Sequence, residues 1–176
     1  DRTRLTKKMQ SADVNDAWEL SLSGVPTWAP MEPAGTRPEG GERHAGVYES
    51  SRDRMVVLGG VMSGNVWGLS LDGPAEWSHL GGEIVGPIAK SGHTATYDPV
   101  RDRMIVFGGA GASHYNDVWA FSLSGNQTWT QLFPTGAAPV AREGHTAIYD
   151  PVRDRMIVFG GGTASHVDKN DVWALS

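Results

Sequence analysis

The chain has 176 residues, with 23 glycines, seven tryptophans, no cysteine and a net charge of −5. That length can bury one domain-sized core, and the missing cysteines exclude disulfide frameworks, zinc–thiolate sites and thiol nucleophiles. Lys and Arg are scattered and no apolar run approaches membrane-spanning length, so neither a nucleic-acid partner nor membrane insertion is expected. Residues 1–20 lack the apolar core of a signal peptide. Localisation stays open, with a secreted setting slightly favoured.

In chain order, Thr3–Lys8 stands where later units carry an apolar strand. Its polar side chains predict an exposed edge or disorder over residues 1–12. Trp18 and Trp28 then mark a third and a fourth strand, so residues 1–43 read as a degenerate partial blade and its connection. From His44 the pattern fills out in three units: 44–92, 93–144 and an incomplete 145–176. Each opens with a strand of the type His-Thr-Ala-Ile-Tyr (145–149). A turn built on Asp-Pro-Val-Arg-Asp (98–102, 150–154) follows, where proline fixes φ and aspartate bonds the local backbone. The continuous apolar run Met-Ile-Val-Phe-Gly-Gly (104–109, 156–161) suits a strand covered on both faces. Asp-Val-Trp-Ala-Phe (117–121) and Thr-Trp-Thr-Gln-Leu (128–132) alternate polar and apolar positions as third and fourth strands.

The spacings are regular. Third-strand to fourth-strand tryptophan is 10 residues, fourth-strand tryptophan to the next histidine is 16, and histidine to the first glycine of the pair is 15. Only the segment from the second glycine to the next tryptophan varies, at 7, 10 and 12 residues. All length variation therefore falls in the loop between strands two and three. Four short strands per unit of roughly 50 residues make a propeller blade, and no segment shows helical periodicity.

Arg142-Glu-Gly-His145, the Gly-Gly pairs, Asn-Asp-Val-Trp and the fourth-strand tryptophan recur in fixed order, and the chain resembles the Kelch repeat, also found in the propeller of galactose oxidase. The resemblance implies an all-β fold of Kelch-type blades with four antiparallel strands each, about three and a half blades in this chain. Since family propellers usually close with six to eight blades, part of a longer ring, or self-association that completes one, is expected. The resemblance further implies a protein partner, because Kelch propellers commonly bind proteins. The galactose oxidase cofactor needs a tyrosine cross-linked to cysteine, which these residues cannot supply.

His44, His93 and His145 recur at one position per unit, which argues for a structural role at the strand start rather than a metal triad. The Arg-Asp-Arg turns (52–54, 101–103, 153–155) read as solvated turns with marginal ion pairs. Ala-Ser-His-Tyr-Asn-Asp (112–117) and Ala-Ser-His-Val-Asp-Lys-Asn-Asp (164–171) lie in the variable loops. They place Ser, His and carboxylate close in sequence without the geometry of a triad. His114, Tyr115, His166, Asp168 and Lys169 are therefore candidates for binding, on a face formed by Val61–Gly64, Ala110–Tyr115 and Gly162–Lys169. No catalytic residue, metal ligand or cofactor is expected. The expected function is a non-catalytic recognition or scaffold module that binds protein through that face. The rivals are the propeller of a secreted carbohydrate-active or oxidase-type enzyme, with a glycan as ligand, and a structural repeat of a surface assembly.

Overall fold

The computed structural model describes residues 14–59, 64–82, 86–87 and 90–176. The expectation for residues 1–12 and most of the loop 61–64 lie outside them. Among the described residues there are 14 strands and no helix. β1 (Ala17–Ser21) and β2 (Thr27–Met31) form an antiparallel hairpin. β4 (Ala45–Glu49), β5 (Arg54–Leu58), β6 (Val66–Ser70) and β7 (Glu76–Gly81) form an antiparallel meander. The two-residue β3 (Ala34–Gly35) adds to the outer edge of β7 in parallel, an extension beyond the expected four strands. β8 (Thr94–Asp98), β9 (Arg103–Phe107), β10 (Val118–Ser122) and β11 (Trp129–Leu132) repeat the meander. β12 (Thr146–Asp150), β13 (Arg155–Phe159) and β14 (Val172–Leu175) repeat its first three strands. This is the all-β architecture of a partial Kelch-type propeller.

The second strand of each meander is covered on both sides, which is why it reads as an unbroken apolar run. Val56, Met104 and Val106 are fully buried. One core joins the β4–β7 sheet to the β8–β11 sheet through Leu58, Val66 and Leu80 on one side and Phe121 and Trp129 on the other. A second joins β8–β11 to β12–β14 through Ile105, Phe107 and Val118 against Met156 and Val158. The fourth-strand tryptophan Trp129 lies in the first of these layers, its ring 4.9 Å from that of Phe121, while Trp77 packs with Val57 and Leu69 in a third, against Met31 of the hairpin. Trp18 and Trp28 of the hairpin, at the equivalent positions, are exposed.

The turns between first and second strands depart from the sequence reading. Each inner strand ends in a carboxylate, Glu49, Asp98 or Asp150, and the first two are fully buried. Asp98 accepts Arg103 Nε at 2.8 Å, Arg101 Nη1 at 3.1 Å and the turn amides of Val100 and Arg101, each at 3.1 Å. Glu49 is held in the same way by Arg52 and Arg54. Burial works against ionisation of Asp98, but Arg103, the turn amide and Arg101 outweigh it and hold the carboxyl below its ordinary range.

The arginine in the middle of each turn also reaches the next sheet. Arg52 grips Asp102 at 3.1 and 2.7 Å, and Arg101 grips Asp154 at 2.8 and 2.6 Å. The recipients take left-handed backbone, with φ 48° at Asp102 and 49° at Asp154, which aspartate tolerates. Tyr149 closes the step, its hydroxyl donating to Asp154 at 2.5 Å and to Asp98 at 3.2 Å. Burial and the Asp154 carboxylate push that phenol up to about 12. These are two-pronged bonds between blades, formed by partly exposed side chains.

Replacing Asp98 by Ala strands Arg103 and the turn amides without their acceptor. The expected loss is about 3–5 kcal/mol in urea unfolding, whereas Arg101→Lys, which keeps the charge and loses the two-pronged geometry, costs about 1 kcal/mol.

Candidate functional site

At the end opposite these turns, three left-handed residues stand just before the inner strands: Arg43 (φ 57°), Gly92 (φ 67°) and Gly144 (φ 64°). Gly92 N–H donates to Arg43 O at 3.4 Å and Gly144 N–H to Gly92 O at 2.8 Å, so the three connections are stitched side by side. The histidines that follow are wedged against glycine. The Cε1 atom of His145 lies 2.9 Å from where a Cβ on Gly108 would sit, and its Cβ lies 2.8 Å from that of Gly161. The Gly108-Gly109 pair thus makes room for His93 of its own unit, which lies 3.0 Å from a Cβ on Gly109, and for His145 of the next. His145 also packs edge-on against Phe107, and its Nε2 lies 2.8 Å from Thr94 Oγ1. His93 and His145 are buried while His44 is exposed.

Burial, assisted by the nearby Lys90 and Arg142 charges, lowers both buried imidazoles to about 4. Their folded values lie below the ordinary 6.5, so between these limits the unfolded chain binds more protons. Stability is then full above pH 6.5 and falls as pH drops toward 4, with a slope approaching about 2.7 kcal/mol per pH unit when both sites contribute. The aspartates held low by arginine act below that window. His93→Gln combined with His145→Gln should flatten the slope between pH 6.5 and 4 in urea titrations.

The variable loops are built on a short ladder rather than hanging free. In the 110–115 loop, Ala110 bridges both Ser91 and His114. In the 162–169 loop, Gly162 bridges both Glu143 and Asp168. Tyr115 N–H donates to Gly109 O and Lys169 N–H to Gly161 O, each at 2.9 Å. The ladder therefore pairs His114 with Asp168 and Tyr115 with Lys169 as equivalent positions. The matching Ala-Ser-His triplets (112–114 and 164–166) are out of register, and His166 sits at an exposed tip with φ 55°. What differs between the loops is the tip: three residues (111–113) in one and five (163–167) in the other.

Behind each loop a cation from the incoming connection clamps the aspartate that opens the third strand. Arg142, fully buried, grips Asp171 at 2.6 and 2.9 Å and donates to Gly160 O at 2.8 Å. Asp171 also accepts Trp173 Nε1 at 2.7 Å, and these bonds, Arg142 first, hold its carboxyl well below the usual range. Lys90, 4% exposed, repeats the clamp on Asp117 at 2.5 Å and lies 4.9 Å from the Tyr115 ring. Its ammonium is pulled down by burial and partly restored by Asp117. In the 44–92 unit the same two positions hold Gly41 and Asn65, so cation and carboxylate are replaced together.

Of the five candidate residues, His114 enters a polar cluster and Tyr115 lies under the Lys90 ammonium. His114 Nε2 lies 3.5 Å from Glu143 Oε1, and Arg43 Nη1 lies 3.3 Å from Glu143 Oε2. Asp168 and His166 are exposed, and Lys169 is half-buried. Arg43 and Glu143 were not singled out from the sequence. The available signal was Arg43-His44 standing where the other units have Gly-His. Among the described residues no group of three His, Asp or Glu is placed to hold a metal ion.

The model of the KLHDC2/KLHL20/DRC7 Kelch-repeats domain matches residues 65–176. The chain belongs to the Kelch-repeat family. This Kelch chain is 39% identical over 69 residues, 36% of its length, to host cell factor homolog hcf-1 of Caenorhabditis elegans, of which it covers 8%. Among solved structures it resembles YjhT (20% identity, TM-score 0.55, 69% of this chain and 34% of that one). It also resembles a fungal alcohol oxidase of the AA5 family in complex with copper (16% identity, TM-score 0.63, 94% and 37%). RAG in complex with one melted and one unmelted RSS is a third (14% identity, TM-score 0.66, 89% and 54%). At these identities the solved structures speak for the fold alone, and the Kelch chain spans only part of each relative. Kelch repeats generally mediate protein–protein interaction, which makes the chain a protein-interaction module at that coarse level.

Proposed function

We propose that this Kelch chain is a non-catalytic recognition module that binds a protein through the face bearing the loops between second and third strands. In this reading the blades run 44–92, 93–144 and 145–176, preceded by a partial blade at 1–43. The observation that carries it is the ladder of the two described loops. A constant base, fixed by the Lys90–Asp117 and Arg142–Asp171 clamps, presents tips of different length and composition. Adaptable tips on a rigid base are how scaffolds install recognition. His114, Tyr115, His166, Asp168 and Lys169 are the contact residues proposed. The oxidase or carbohydrate-active reading has only the fold likeness in its favour.

Selection of phage-displayed peptides against the chain tests this. Selected peptides should lose binding to His114→Ala and to a His166→Ala/Lys169→Glu variant, each by about tenfold or more. They should bind Asn126→Ala, at the tip of the β10–β11 turn, like wild type. Equal loss at Asn126 and the loops, or hits confined to a glycan array, would overturn the reading.

A further inference from the structure

The three connections at the loop-bearing face are equivalent in position and backbone, yet one differs in residue type. Gly92 and Gly144 adopt φ 67° and 64° at no steric cost, while Arg43 adopts 57° with a side chain that disfavours it by about 1–2 kcal/mol. Its structural duty is a carbonyl that accepts Gly92 N–H, which a glycine would perform equally. An arginine held in a left-handed conformation that its siblings reach as glycine, without strain, points to a task for its guanidinium. That group is 57% exposed.

Its present partner comes from far along the chain. Glu143 belongs to the connection two units on and lies across the intervening one, where a Cβ on Gly92 would sit 2.9 Å from Oε2 and 3.1 Å from the glutamate Cβ. Glycine at 92 is what leaves the passage open. The carboxylate meets Arg43 at 3.3 Å and His114 at 3.5 Å, with 29% of its side chain exposed. These contacts are longer than the two-pronged 2.6 and 2.8 Å bonds of Arg101 to Asp154 at the other end. A long, partly hydrated pair is readily exchanged.

We propose that Arg43 is a binding residue for a carboxylate-bearing segment of the partner, and that Glu143 occupies it as an internal stand-in which the partner displaces. The proposal rests on the loop-face reading and names the chemistry that face recognises. Because the stand-in competes, apparent affinity is reduced by the fraction of chains in which Glu143 holds Arg43.

The probe is a capped hexaglutamate peptide, with capped hexalysine as control, followed by fluorescence anisotropy at low salt. Hexaglutamate should bind Glu143→Gln about five- to tenfold more tightly than wild type. Arg43→Gly should abolish that binding in both backgrounds while leaving the thermal midpoint unchanged or higher, since it removes the strain. The proposal is overturned if Glu143→Gln binds no more tightly, if Arg43→Gly retains the peptide or loses several degrees of stability, or if hexalysine binds as well. Phage-selected peptides that respond to the 114 and 166–169 variants but are indifferent to both of these changes would sink this inference and leave the loop-face reading standing. Indifference to every loop variant would sink the loop-face reading.

Discussion

The carboxylate that ends the inner strand, fully buried at Glu49 and Asp98, is the constraint on which the blades depend. Glu49 and Asp98 are sealed from solvent at the point where the chain must reverse, and each is satisfied by arginines of its own turn. An unpaired charge there would be costly, and the arginines recur in all three turns even where the other residues differ, as Glu49-Ser-Ser and Asp98-Pro-Val do. Because the arginine that serves the buried carboxylate also serves an aspartate of the next sheet, turn geometry and blade spacing are set by one group. Hydrophobic layers such as Phe121 and Trp129 against Leu58 and Val66 pack between the same two sheets.

The opposite end achieves order by different means. Glycine in left-handed backbone, histidine wedged beside it and backbone bonds between connections make a surface with little side-chain freedom. The Lys90–Asp117 and Arg142–Asp171 clamps carry that rigidity outward to the start of β10 and of β14. Loop tips on this base can differ without disturbing it, which separates the parts that hold the propeller from the parts that can recognise.

The fold was legible because its signals are periodic. The Gly-Gly pairs, the apolar second strands and the tryptophans each answer to a physical need that recurs once per blade. The turns were misjudged because burial is a collective property: Asp98 reads like any turn aspartate until the neighbouring sheet covers it. The loop register was not legible in the sequence for a similar reason. Two Ala-Ser-His triplets invite alignment, but the ladder places His114 opposite Ala110 and Asp168 opposite Gly162, and only backbone pairing reveals it. Arg43 could not be found as a strained residue, since φ is not written in sequence, although its place in a Gly-His pattern was visible.

The Gly-Gly and histidine wedge has a consequence for how such a chain can change. At the junction of the last two units the first glycine, Gly108, receives the histidine of the following unit, His145, and the second, Gly109, receives that of its own, His93. A complete unit such as residues 93–144 therefore carries one half of each joint at its ends. Copied in frame, it presents the contacts that its neighbours already use, and a chain of this kind can lengthen or shorten by whole modules without inventing a new interface. The near-identical runs at 98–109 and 150–161 are what that mode of growth would leave behind.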